Sequence, residues 1–208
     1  MNISDEDKVL YLDSLKTYLS SYSSITSSSF ELIKDLVKFH QFYKNEILIN
    51  EGDVAKNIYF LCEGAVRAYS SDQQGHTYNK NIFLAGKMVG SMVSALLQKP
   101  SSFTLQALDK SLLLAINFNK FKQLIHKNDD LKNYYIAYLE REWVIDKEQR
   151  EVSLVMESAS IRYQKFMEQY PNIDQKISLH HIASHLGITA TQLSRIRKDL
   201  KLDQNQHM

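Results

Sequence analysis

Apolar residues recur at spacings of three and four over residues 9–19 and again over 30–39, a period that predicts two short N-terminal helices. Ser28, followed three residues later by Glu31, has the form of a reciprocal helix cap and sets the expected start of the second. The serine-rich stretch 20–29 between them reads as a loop, interrupted by Tyr22 and Ile25. From residue 43 to 117 the pattern changes to short runs of β-branched and aromatic residues separated by Gly, Asp or Asn. Strands are expected over 46–49, 58–62, 65–69, 77–84, 103–108 and 112–116, punctuated at Gly52, Gly64, Gly75, Gly86 and Gly90, which suits a small antiparallel barrel or roll. Helical spacing returns at 118–126. It then runs without Pro or Gly from 129 to 156, a helix of about 28 residues and near 40 Å. Tyr135, Tyr138, Glu142, Ile145, Gln149, Val152 and Met156 follow the alternating steps of a coiled-coil seam, while a second line through Ile136, Leu139 and Trp143 is placed to pack on the barrel. Another amphipathic helix over 158–170 stops at Pro171. The expected fold is α+β, with an antiparallel β-roll and flanking helices over 1–128, a central dimerisation helix over 129–156 and a helical unit over 157–208.

Within that last unit, residues 178–200 have the form of helix, tight turn, helix. Ala183 is small enough for the second helix to cross close to the first, Gly187 supplies the turn, and Ile182, Leu186, Ile188, Leu193, Ile196 and Leu200 supply the packing. Thr189 and Gln192 make a second reciprocal cap, starting helix two. Its opposite face carries Thr191, Ser194, Arg195 and Lys198, residue types that meet base edges and phosphates. In the usual docking of this motif the second helix enters the major groove of double-stranded DNA. Arg195 is then suited to a bidentate guanine contact and Ala190 to a thymine methyl, with Thr191 and Ser194 reaching bases or phosphates. Thr189, Gln192, Arg197 and Lys198 are suited to positioning on the backbone.

Charge supports this only when counted by segment. The chain carries +1 overall, yet residues 176–201 hold five cations (Lys176, Arg195, Arg197, Lys198, Lys201) against Asp199, a local +4. At 208 residues, 44% hydrophobic and 24% charged, the composition is that of a folded soluble protein. No apolar run approaches the roughly 20 residues of a membrane span and no basic-then-apolar leader opens the chain, so a cytoplasmic location without membrane partners is expected. Cys62 is the only cysteine, which excludes an intrachain disulfide and a four-cysteine zinc or iron–sulfur site.

Two stretches, taken with this order of elements, resemble the CRP/FNR family of bacterial regulators. One is Ile49-Asn50-Glu51-Gly52-Asp53 with Ile58-Tyr59-Phe60-Leu61-Cys62-Glu63-Gly64-Ala65-Val66, similar to the family's first two barrel turns; the other is 182–198. The resemblance implies a cyclic-nucleotide-binding-type β-roll, a dimerising central helix and a winged helix-turn-helix. Contact with RNA polymerase would accompany such a regulator. Members that bind cyclic AMP carry a glycine–glutamate pair for the ribose and an arginine followed by a small hydroxyl residue for the cyclic phosphate. Here the corresponding residues are Gly90-Ser91 and Lys99-Pro100-Ser101-Ser102, and no arginine occurs between Arg67 and Arg141. A buried phosphate without a paired cation is costly, and a lysine lacks the bidentate fork, so control by cyclic AMP is not expected. The effector is a small molecule of unassigned chemistry or none, and no cofactor is expected.

Other readings are weaker. A haem ligand would have to be His40 or His76. His181 and His185, four apart on one helix, have a spacing that can bind a metal, but on the first helix of a DNA motif they are expected to be phosphate-facing or simply exposed. A cupin-like metal-dependent enzyme would need several ligands inside the barrel, where only His76 lies among the strands. Residues 201–208 are too short and polar for a wing hairpin, which leaves room for a ligand-sensing adaptor whose helix-turn-helix binds protein.

Overall fold

The computed structural model describes residues 3–72, 74, 75 and 77–206, and of 201–206 the backbone only. Helix α1 (Asp5–Ser20) begins at Ser4, whose hydroxyl accepts from the Asp7 N–H, and α2 (Ser27–Lys34) begins at Thr26, which caps the Ser29 N–H. The Ser28–Glu31 cap expected from sequence is therefore displaced by two residues. The reason is tertiary: the Asp130 carboxylate accepts from the Thr26 N–H (2.9 Å), the Thr26 hydroxyl (2.8 Å) and the Ser29 hydroxyl (2.9 Å), which fixes the turn at Thr26. The second helix also ends earlier than its apolar spacing suggests, because residues 37–42 form a strand.

That strand, β1 (Val37–Phe42), pairs antiparallel with β8 (Ser111–Asn117) over six residues. The others are β2 (Ile47–Ile49), β3 (Asn57–Glu63), β4 (Ala65–Ser71), β5 (Thr77–Leu84), β6 (Lys87–Val89) and β7 (Thr104–Ala107). They form two four-stranded antiparallel sheets, in the orders β1-β8-β3-β6 and β2-β7-β4-β5. Their inner faces meet in a core that includes Leu61, Val66, Leu105 and Leu113, each fully buried, as expected for two amphipathic sheets that exclude water between them. Gly64 turns β3 into β4 with φ +90°, and a Cβ there would fall on Lys110 O and Ser111. A short helix α3 (Met92–Leu97), not expected from the sequence, follows β6.

Helix α4 (Phe118–Lys127) leads into a long helical run built of α5 (Asp129–Tyr138), a π-helical stretch (Leu139–Ile145) and α6 (Asp146–Met156). In the π stretch the Asp146 N–H bonds to Arg141 O, five residues back. The wider turn changes the phase of the side chains, so the two expected lines do not keep their faces. Tyr134 is buried, and Tyr135, Tyr138 and Glu142 pack inward with it, whereas Ile136 is exposed. The Tyr22 hydroxyl donates to Glu142 Oε1 at 2.5 Å, inside a group of rings formed by Tyr18, Tyr22, Tyr134 and Tyr138. From the end of the π stretch onward, Ile145, Val152, Val155 and Met156 are exposed, the last two by 83% and 77%. Glu157 is extended and Ser158 caps α7 (Ala159–Gln169). Helices α8 (Ile173–Lys176), α9 (Leu179–His185) and α10 (Ala190–Gln206) complete the described chain. Among the described residues no helix is long and apolar enough to cross a membrane.

Candidate nucleic-acid interface and the β-roll cavity

Helices α9 and α10 make the helix-turn-helix. Ile182, Ala183, Leu186 and Leu193 are buried against Tyr163 and Phe166 of α7 and against Ile173 and Ile177. Gly187 takes φ +71° in the turn, a backbone conformation that costs glycine little, and the Ile188 N–H bonds to Ala183 O (3.0 Å). The reciprocal cap forms: Gln192 Oε1 accepts from the Thr189 N–H (2.9 Å), and Thr189 Oγ1 accepts from the Gln192 N–H (3.1 Å). With Leu193 fully buried, Ala190, Thr191, Ser194, Arg195 and Lys198 lie on the exposed side of α10, and Thr189 and Gln192 are exposed at its start. Arg197 sits differently. Its Nη2 is 3.0 Å from Asp174 Oδ2 on α8, with both side chains about three-quarters buried, so its charge is met inside the domain. Residues 201–206 continue α10 as helix.

The first helix of the motif is where the sequence reading fails. His181 and His185 neither face outward nor stand free; α9 is docked on β5 of the roll. Ser184 Oγ accepts from the Asn79 N–H (2.8 Å), and Asn79 Nδ2 donates to His181 O (3.1 Å). His181 Nδ1 lies 3.4 Å from Arg67 Nη1, and His185 Nδ1 lies 3.4 Å from Arg150 Nη2, with the His185 ring against Phe166. Burial, then Arg67, His180 and Lys44, push the His181 imidazole down to about 4. Burial and Arg150 push His185 down to about 3. Both rings are therefore neutral near pH 7. Nothing local marks these contacts in the sequence, since their partners are more than 30 and mostly more than 100 residues away.

His40 lies exposed on the edge strand β1 of the roll, stacked on Phe42, and not enclosed by the sheets; His76 lies outside the described residues. Among the described residues no group of three or more His, Cys, Asp or Glu stands close enough to hold a metal ion. Burial pushes the Cys62 thiol up to about 12.

A cavity of about 680 Å³ lies between the roll and the long helix, walled by Phe83, Met88, Phe103, Phe121, Tyr134 and Trp143 among others. Residues 39–128, which form most of the roll, match the family described as cyclic nucleotide-binding domain. The chain is 23% identical over 163 residues to the fumarate and nitrate reduction regulatory protein of Yersinia pestis. The match takes in 74% of this chain and 64% of the relative, so the chain spans less than two-thirds of that protein's length. Together these matches support a CRP/FNR-type regulator. Solved structures share the fold of this chain over most of its length. The regulator FixK2 from Bradyrhizobium japonicum matches with a TM-score of 0.66 at 17% identity, over 80% of this chain and 85% of that one. The c-di-GMP-responsive global regulator CLP from Xanthomonas campestris gives 0.64 at 15%, over 86% and 93%.

The segment that would receive a cyclic nucleotide in this family does not fit one here. Ser91, standing where the glutamate would be, is buried, and Ser101 Oγ lies 2.9 Å from its hydroxyl while donating to Phe103 O at 2.7 Å. Ser94 is likewise committed, donating to Lys99 O and accepting from the Ala55 N–H. Lys99 itself is exposed and does not line the cavity. A cyclic phosphodiester buried in this segment would meet occupied hydroxyls and no cation.

Proposed function

We propose that this CRP/FNR-type transcription regulator binds double-stranded DNA with α10 as a homodimer, and that cyclic AMP does not control it. The observation that carries the reading is the division of α10 into a buried line through Leu193 and an exposed side bearing Thr191, Ser194, Arg195 and Lys198, presented by a formed cap at Thr189 and Gln192. Arg195 reads a guanine; Ala190, Thr191 and Ser194 touch bases or adjacent phosphates; Thr189, Gln192 and Lys198 hold the backbone. Arg197 acts indirectly, as a positioning residue that ties α10 to Asp174. The exposed apolar residues Val152, Val155 and Met156 on α6, with Ile145 at the end of the π stretch, support pairing with a second copy, because burying such a face against a partner removes apolar surface from water. The hydroxyl-filled segment around Ser91 supports independence from cyclic AMP. RNA polymerase is a further partner of such a regulator.

Fluorescence anisotropy of a labelled duplex, repeated over a series of salt concentrations, tests DNA binding. Affinity should fall linearly on a log–log plot, and Lys198→Ala should flatten the slope by about one, the signature of one lost phosphate contact. Absence of any binding to duplexes at low salt would overturn the reading.

A further inference from the structure

Resting on the reading of the chain as a DNA-binding homodimer, we infer that Asn79 on β5 is a positioning residue for DNA recognition. The polar clasp it forms with Ser184 and His181 of α9 sets the angle at which α10 is held to the long helix. That angle fixes the separation at which two copies meet their half-sites.

Asn79 is only 7% exposed, and its hydrogen bonds reach out of the roll. Its N–H donates to Ser184 Oγ (2.8 Å) and its Nδ2 to His181 O (3.1 Å), while its Oδ1 accepts from Arg67 Nη1 (3.3 Å). Arg67 is braced in turn by Gln106 Oε1 (2.9 Å) on β7 and by the Tyr69 ring, 3.9 Å away. A β-bulge makes the clasp possible. Ala68 pairs with Asn81 and Tyr69 with Asn79, which leaves Lys80 as the extra residue of β5. Residues three apart in a regular strand point to opposite faces. Here Asn79 and Ile82 both meet the helix-turn-helix unit, Ile82 in the apolar cluster that holds Ile182, Ala183 and Leu186. Apolar contact keeps two bodies together without fixing their angle, whereas hydrogen bonds weaken steeply when misaligned, so orientation comes from the clasp. A second strut is Arg150 of α6. It donates to Lys80 O (2.8 Å) and Asn81 Oδ1 (3.3 Å) and stands 3.4 Å from His185 Nδ1, so the long helix and α9 meet on the same stretch of β5. The C-terminal unit is built to pivot as one body. Glu157 and Ser158 are both extended between α6 and α7, and Arg162 donates to Glu157 O (2.5 Å) and to Leu186 O (3.0 Å), tying the pivot to the turn of the motif. Rotation at the pivot swings α10 unless the clasp holds it, and in a symmetric dimer both copies swing. One base pair moves a half-site by about 3.4 Å and about 35°, so the angle of α10 is read out as a preference for one spacing.

Asn79→Ala removes the bonds to His181 O and Arg67, Ser184→Ala removes the acceptor of the Asn79 N–H, and Ser184→Thr keeps a hydroxyl there. Each full-length variant is titrated with a duplex carrying the single half-site that the parent selects. The same titration is made with inverted repeats of that half-site whose centre is lengthened or shortened by one or two base pairs. The parent should favour one spacing over its neighbours by about tenfold or more. Both Ala variants should bind the single half-site within about twofold of the parent, because the clasp lies away from the DNA-facing side of α10, yet discriminate among spacings by less than about threefold. Ser184→Thr should restore the parent's preference. In the absence of DNA, amide hydrogen exchange over residues 179–186 should be about tenfold faster in both Ala variants than in the parent, with residues 111–117 of the roll unchanged. An unchanged spacing preference in the Ala variants, an equal loss of affinity for the single half-site, or unchanged exchange over α9 would overturn the inference. A parent that binds no duplex would overturn the DNA-binding reading itself, and the inference with it, which the variants alone cannot do.

Discussion

Gly64 and Thr189 show how much one position can require. Gly64 combines a positive φ with backbone atoms of Lys110 and Ser111 where a Cβ would stand, so both dihedral strain and steric overlap oppose any other residue. Gly64→Ala should lower unfolding stability by about 1–3 kcal/mol, seen as a lower urea midpoint at unchanged slope. Thr189 was legible from sequence because both halves of its cap lie within four residues. The Thr26 cap was not, because what fixes it is Asp130, more than 100 residues away. Burial alone would raise the Asp130 carboxyl, yet the hydrogen bonds from Thr26, Ser29 and the Leu131 N–H hold it below the usual carboxylate range. The same limit explains His181 and His185, whose spacing on α9 is visible but whose environment is made by Arg67, Asn79 and Arg150.

Among the elements, β5 matches its expected span and the remaining expected strands agree to within a residue or two, since β3 and β5 partly alternate in burial and β8, buried over its first six residues, reads as a short continuous apolar run. β1 was hidden because Leu36, Val37 and Phe39 continue the three- and four-residue spacing of α2. Pairing with the buried β8 outweighs that local preference. The long helix was legible in extent and not in phase. A seam counted at α-helical steps loses register across the π stretch, where Tyr138 and Glu142 are drawn into the rings around Tyr22. Tyr22→Phe removes the hydrogen bond to the Glu142 carboxylate and should cost on the order of 1–2 kcal/mol. If hydrogen exchange in residues 139–145 is unaltered in that variant, the bond is not what holds the π turn to the N-terminal helix.

At the scale of the whole molecule, the helix-turn-helix and the roll share one packed cluster, in which Ala65, Ile82 and Leu108 of the roll meet Tyr163, Phe166 and Leu186. Two neutral histidines sit on that contact. Groups that face them are Arg67, Lys44 and His180 for His181, and Arg150 for His185. Each has a folded pKa below its unfolded value, so the unfolded chain binds the extra proton first. Their effect on stability is nil above about pH 6.5 and grows unfavourable as pH falls from there towards about 4. Chemical denaturation at pH 7.5 and pH 5 should therefore show a larger loss for the parent than for His185→Gln, and equal losses would remove His185 from the account. The overall order of roll, long helix and helix-turn-helix was readable because each part has its own periodicity. The docking of α9 on β5 was not, since it depends on side chains that no local pattern joins.

The central claim is that α10 reads DNA sequence, and it is tested most directly by selecting bound duplexes from a random pool with the parent and with Arg195→Ala side by side. The parent should enrich an inverted repeat whose half-sites lie about one helical turn apart, and Arg195→Ala should lose preference at one guanine of each half-site, worth about 1–3 kcal/mol, while keeping the rest of the pattern. Failure of the parent to enrich any repeat, or an identical consensus and affinity in the variant, would contradict it.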